Sequence, residues 1–131
     1  MKLRMEDILL INALETISGV SAKDCIELNG LVTYFVKDSE VGKAIGKKAV
    51  NIKNLEGKIK KRVEIISFNE KPEDVLKKTF EVEIEKAEKK GKHFVVVINA
   101  QQKGKVFSNM SRFKRVKELI SRNYDLDLIV H

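Results

Sequence analysis

The stretch EVGKAIGKKAVNIKNL, residues 40–55, decides how the rest of the chain is read. Apolar positions lie on both sides of Gly46-Lys47-Lys48-Ala49. Ser39 can cap a short helix over 40–45, and a second helix is predicted from about Val50 to Lys60, with Ile52, Leu55 and Ile59 on one face. A break of this kind leaves backbone N–H groups unpaired at the start of the second helix. With the helix dipole behind them, those groups attract an anion. Gly46 has no Cβ, so a phosphate can come close to the backbone. Lys47 and Lys48 add charge at the tip, and Lys43 and Lys53 flank it. Ile45 and Ile52 are expected to seat the two helices on a sheet, so that a nucleic-acid strand along the turn lays its bases on adjoining apolar surface. Taken alone, Gly-Lys-Lys-Ala is better explained by a helix end with solvated lysines. The flanking elements tip the balance towards the anion cradle.

Upstream, residues 5–18 place Met5, Ile8, Ile11, Leu14 and Ile17 at helical spacing, and Gly19 ends the run. In DCIELNGLVTYFVK, Asn29-Gly30 separates two β-branched runs, which predicts a hairpin with strands at 24–28 and 31–37. Downstream, RVEIISF at 62–68 alternates as a strand does. After NEKPED comes a helix with Val75, Leu76 and Phe80 on its apolar side, its first turn carrying Glu73 and Asp74, whose charge suits the dipole. FEVEIEKA alternates, HFVVVINA reads as a buried strand, QQKGKVF as a short helix, SNMS as a break, RFKRVKELISRN as a helix and DLDLIV as the last strand.

The second half therefore repeats the order of the first. Val41–Ile45 corresponds to Lys103–Phe107, and Ile52, Leu55 and Ile59 to Phe113, Val116 and Ile120. The segment between Phe107 and Phe113, which holds the second break Ser108-Asn109-Met110-Ser111, is one residue shorter than that between Ile45 and Ile52 and has no glycine. Around it Lys103, Lys105, Arg112, Lys114, Arg115 and Lys117 cluster without an acid among them, and Lys105 and Arg112 are the candidates there for a nucleic-acid contact. A solvated helix face accounts for part of that run. Tyr34, Phe35, Phe94 and Phe107 read as core residues.

Bulk properties limit the alternatives. The chain has 131 residues, a net charge of +7 and a pI near 9.5, which favour a polyanionic partner. The single cysteine, Cys25, has apolar neighbours and suits a small core position. It excludes an internal disulfide and a cysteine-based metal site. His93 and His131 lie far apart, and no metal-ligand spacing, nucleophile elbow or Walker loop occurs, so neither a metal, another cofactor nor an enzymatic activity is expected. Glu6 and Asp7 interrupt the N-terminal apolar residues, which argues against a signal peptide and for a cytoplasmic protein.

AIGKKAVNI resembles the Ile-Gly-x-x-Gly-x-x-Ile signature of KH domains, with Ala49 at the second glycine. The order helix-strand-strand-helix-helix-strand is similar to the type II version of that domain. Two such units in tandem resemble the archaeal NusA-like transcription factors. The resemblance implies an α+β fold of two type II KH domains, each with helices on one face of a three-stranded sheet. It places a first domain at 1–68, a linker at 69–72 and a degenerate second domain at 73–131. It also implies a non-catalytic factor in transcription elongation or termination that binds single-stranded RNA beside RNA polymerase. Its RNA-binding residues would be Lys43, Ile45, Gly46, Lys47, Lys48, Ala49, Ile52 and Lys53, joined by Lys105 and Arg112. A polymerase-bound adaptor and a ribosome-associated RNA-binding protein are the alternatives.

Overall fold

A computed structural model describes residues 4–131. The chain is α+β and divides after Phe68 into two compact units. The first contains α1 (Met5–Ser18), β1 (Asp24–Leu28), β2 (Leu31–Lys37), α2 (Val41–Ile45), α3 (Val50–Ile59) and β3 (Arg62–Phe68). Its sheet has the order β1-β2-β3, with β1 antiparallel and β3 parallel to β2. Asn29 and Gly30 form the two-residue hairpin loop, and both adopt the positive φ that such loops require (+52° and +77°). A crossover through α2 and α3 then brings β3 alongside β2, as a parallel pairing demands.

The core of this unit lies on one face of the sheet. Val32, Tyr34 and Val36 of β2 pack with Ala13 and Leu14 of α1, Ala44 of α2 and Leu55 of α3, all buried. The Tyr34 hydroxyl donates to the Leu10 carbonyl at 2.7 Å, which satisfies its polar end inside the core. Cys25 is buried in the same cluster, as expected. The face of α1 follows the spacing prediction at Ile11, Leu14 and Ile17, which lie in or against the core, but not at its start. Met5 and Ile8 are exposed at 69% and 40%, while Asp7, Ala13, Leu14 and Ser18 are buried. Residues 8–11 are all apolar, so periodicity alone leaves the inward side open, and packing against β2 selects it.

The second unit contains α4 (Pro72–Phe80), β4 (Ile84–Lys90), β5 (His93–Ile98), α5 (Lys103–Phe107), α6 (Met110–Tyr124) and β6 (Asp127–Val130). Its sheet repeats the pattern: β5 is central, antiparallel to β4 and parallel to β6. Phe94, Val96 and Ile98 of β5 are buried together with Val75, Leu76 and Phe80 of α4, Val106 of α5 and Val116, Leu119 and Ile120 of α6.

Three boundaries differ from the sequence reading. Pro72 is the first residue of α4, where its missing N–H costs nothing, and so does not belong to a linker. The alternating stretch FEVEIEKA is not one strand. Phe80 ends α4, Glu81 turns left-handed (φ 54°), Val82 is buried, and β4 starts only at Ile84. Burying Phe80 on the helix face that carries Leu76 outweighs the alternation. The second break is also shorter than SNMS, because α6 already begins at Met110. Among the described residues, no helix is long and apolar enough to cross a membrane.

Candidate nucleic-acid interface

The turn between α2 and α3 holds three unusual conformations within four residues. Gly46 has φ 79° and ψ 165°, a region that essentially only glycine occupies. After Lys47, both Lys48 (φ 52°, ψ 32°) and Ala49 (φ 61°, ψ 27°) are left-handed. Ala49 therefore keeps the backbone shape that a glycine would adopt without strain. An alanine with ordinary right-handed helical backbone would not show it.

The shape changes the count of free amides. Gly46 N–H donates to the Gly42 carbonyl at 3.0 Å and Ala49 N–H to the Gly46 carbonyl at 3.0 Å, so neither is available to a ligand. Among the described residues, no partner occurs for the Lys47 and Lys48 N–H groups. Both residues are exposed, and the chain from Val41 to Leu55 carries no acid. An anion at the tip thus meets two main-chain N–H groups on residues that also carry ammonium side chains.

Beside the tip lies an open depression lined by Lys47, Lys48, Val50 and Lys53. Val50 is 46% exposed and supplies apolar surface within a ring of cations. Ile45 and Ile52 are half-buried rather than fully seated in the core; Ala44 and Leu55 occupy the buried positions. Lys43 does not join this group. Its Cε and Nζ lie 3.5 Å from the point where a Cβ on Gly19 would stand, at the C-terminal end of α1. There its charge complements the dipole of α1.

Two contributors escaped the sequence reading. Val50 was taken only as a helix start. Asn51 was not considered, yet its side-chain amide donates to the Lys43 carbonyl at 2.9 Å and so links the end of α2 to the first turn of α3. Asparagine one residue after the apolar Val50 was the available signal, since exposed asparagine beside a helix end commonly bonds to backbone.

The break between α5 and α6 is different. Ser108 is right-handed (φ −74°, ψ −15°), Asn109 has φ −126°, and no residue there is left-handed. Ser108 N–H donates to the Gly104 carbonyl and Asn109 N–H to that of Val106, while the Asn109 side chain accepts from Arg112 N–H at 3.1 Å. Three amides of the break are thus already used, and its backbone lacks the left-handed residues that shape the first turn. Lys105 donates from Nζ to the Glu81 carbonyl at 3.1 Å, and Arg112 is half-buried in the first turn of α6. Tyr34, Phe35 and Phe94 are buried, but Phe107 is 40% exposed, against expectation. It ends α5 on the outside of the break and meets Phe113 edge-on, with ring centroids 6.1 Å apart.

No family model matches the sequence. Two proteins named probable transcription termination protein NusA are similar to it. The one from Methanocaldococcus jannaschii is 38% identical over 69 residues, covering 53% of this chain and 38% of the relative. The one from Methanococcus vannielii is 32% identical over 79 residues, covering 60% of this chain and 46% of the relative. Each match spans less than half of the relative's length. Among solved structures, the crystal structure of APE1850 shares the fold, with a TM-score of 0.84 and 23% identity over 98% of this chain and 100% of that one.

Proposed function

We propose that this chain, NusA-like in sequence, is a non-catalytic transcription elongation or termination factor whose first unit binds single-stranded RNA. In this reading each unit is a type II KH domain. Support comes from the repeated element order and from two sheets that each pair one antiparallel and one parallel neighbour with a central strand. The names of the archaeal relatives support the link to transcription and, through it, to RNA polymerase.

One observation carries the RNA assignment: two unpaired amides, at Lys47 and Lys48, stand on a strained turn at the rim of a cation-lined apolar depression. The amides and ammonium groups take the sugar-phosphate chain. Val50, with the half-exposed Ile45 and Ile52, offers a surface on which bases lie, while Gly46 and Ala49 shape the backbone. Sequence preference follows from which bases fit that surface, whereas the lysines supply affinity independent of sequence.

Fluorescence anisotropy with a short labelled single-stranded RNA tests the reading. Replacing Lys47 and Lys48 together by Glu is expected to weaken binding at least tenfold while circular dichroism and thermal unfolding stay unchanged. Wild-type affinity in the double variant would overturn the assignment. Gly46 is a poor site for this test, because any side chain there strains the backbone as well as blocking a phosphate.

A further inference from the structure

The α5–α6 break of the second unit has lost the anion cradle and has acquired something else. Residues 107–111 are all exposed, and Phe107 and Met110 are 40% and 45% accessible. They are the two large apolar residues of this unit that lie open to solvent among the described residues. Each has a lysine one helical turn away on its own side. Lys103 precedes Phe107 by four residues in α5, and Lys114 follows Met110 by four in α6. Neither lysine meets an acid among the described residues, and no acid occurs between Lys103 and Lys117.

We propose that this tip is a docking point for an acidic, apolar segment of a partner protein. Phe107 and Met110 would be covered by apolar side chains of that segment, and its carboxylates would face Lys103 and Lys114. An aromatic ring paired with a flexible thioether is the composition of adaptable protein-binding surfaces. Charge selects the occupant. A second copy of this chain, seated tip to tip, would bring like charges together. RNA is disfavoured for a different reason. The N–H groups of Ser108, Asn109, Arg112 and Phe113 are bonded within the break, which has no glycine and no left-handed residue, so the cradle formed by residues 46–49 is not reproduced here. One edge of the Phe107–Phe113 pair is also already occupied by its partner ring. The two units would then divide the labour, the first holding RNA and the second holding protein.

The test uses the full chain and three labelled probes: an amphipathic peptide of Glu, Leu and Phe, the same peptide with Lys for Glu, and a single-stranded RNA. The acidic peptide is expected to bind and the basic one not. Phe107→Ser with Met110→Ser, both at exposed positions, is expected to weaken peptide binding at least tenfold and to leave RNA affinity unchanged. Lys103→Glu with Lys114→Glu should do the same without altering the apolar pair. Equal binding of both peptides, or undiminished acidic-peptide binding by both variants, overturns the proposal. So does a loss of RNA affinity in the Ser variant, which would make the tip a nucleic-acid contact. Self-association that the Ser variant abolishes, seen by sedimentation, would also overturn it in favour of a second copy.

Discussion

The side-chain amide of Asn51 holds the Lys43 carbonyl at 2.9 Å and, in doing so, fills the space into which a side chain on Gly46 would project. A Cβ on Gly46 would lie 2.8 Å from Asn51 Cγ and Nδ2 and 3.0 Å from its backbone nitrogen. The turn therefore needs glycine for two separate reasons, its φ of 79° and the proximity of Asn51. Gly46→Ala is expected to lower unfolding free energy by about 2–4 kcal/mol in urea titrations, from the backbone strain and the clash together. Asn51→Ala alone should cost about 1 kcal/mol, for one exposed hydrogen bond. The double variant should be less unstable than the sum of the two, because the clashing amide is gone. Strict additivity would show that the contact does not govern position 46.

Lys48 and Ala49 both hold left-handed backbone with a side chain attached, at roughly 1–2 kcal/mol each before any compensation. Ala49→Gly removes that strain but gives the unfolded chain more freedom. The expected net effect is a gain of about 0.5 kcal/mol, seen as a higher urea midpoint with unchanged slope. A loss of stability would mean that the methyl group of Ala49, which is half-buried, contributes more through packing than its φ costs.

RNA binding should depend on salt in proportion to the cations engaged. Lys47, Lys48 and Lys53 surround the depression, whereas Lys43 lies against the end of α1. For a single strand the slope of log K against log salt is about −0.7 per phosphate neutralised, so about −2 is expected from three lysines. Lys47→Ala with Lys48→Ala should flatten the slope by about 1.4. Lys43→Ala should leave it unchanged. A Lys43→Ala effect as large as that of the other two would bring Lys43 back into the interface.

Both tyrosines resist ionisation. Burial pushes the Tyr34 hydroxyl well above its ordinary range, with a smaller contribution from Cys25. Burial also pushes Tyr124 up to about 12, opposed by the backbone of Asn69 and aided by the carboxylates of Glu70, Asp74 and Glu73. The folded chain thus retains protons that the unfolded chain has lost above pH 10. Stability from Tyr124 is fully present below pH 10 and disappears as pH rises towards 12. Ultraviolet titration should show little tyrosinate at pH 10 in the folded protein, and its prompt appearance in urea. Tyrosinate at the ordinary pKa in the folded chain would contradict the burial of both rings.

Much of the architecture is legible in local signals. The Asn29-Gly30 loop determines its hairpin because two consecutive residues of positive φ satisfy few other structures. The strands at 24–28, 31–37 and 62–68 follow from β-branched runs bounded by turns, and Gly19 and Gly46 mark helix ends by composition alone. Lys47, Lys48 and Lys53 meet at one surface because α3 begins directly after the turn that carries the other two.

The chain's own residues thus determined the succession of elements, the repeat and the position of the basic turn, since each rests on neighbours a few places apart. Tertiary structure alone decided which side of α1 faces β2, how Phe80 and Val82 divide a seemingly continuous strand, and that Ala49 is left-handed. It alone sent Lys43 to the end of α1, opened Val50 to solvent and paired the Gly46 and Ala49 amides while leaving those of Lys47 and Lys48. These outcomes depend on contacts between segments distant in sequence, or on backbone bonds that close only when the helices are docked. Periodicity and composition carry no record of such contacts.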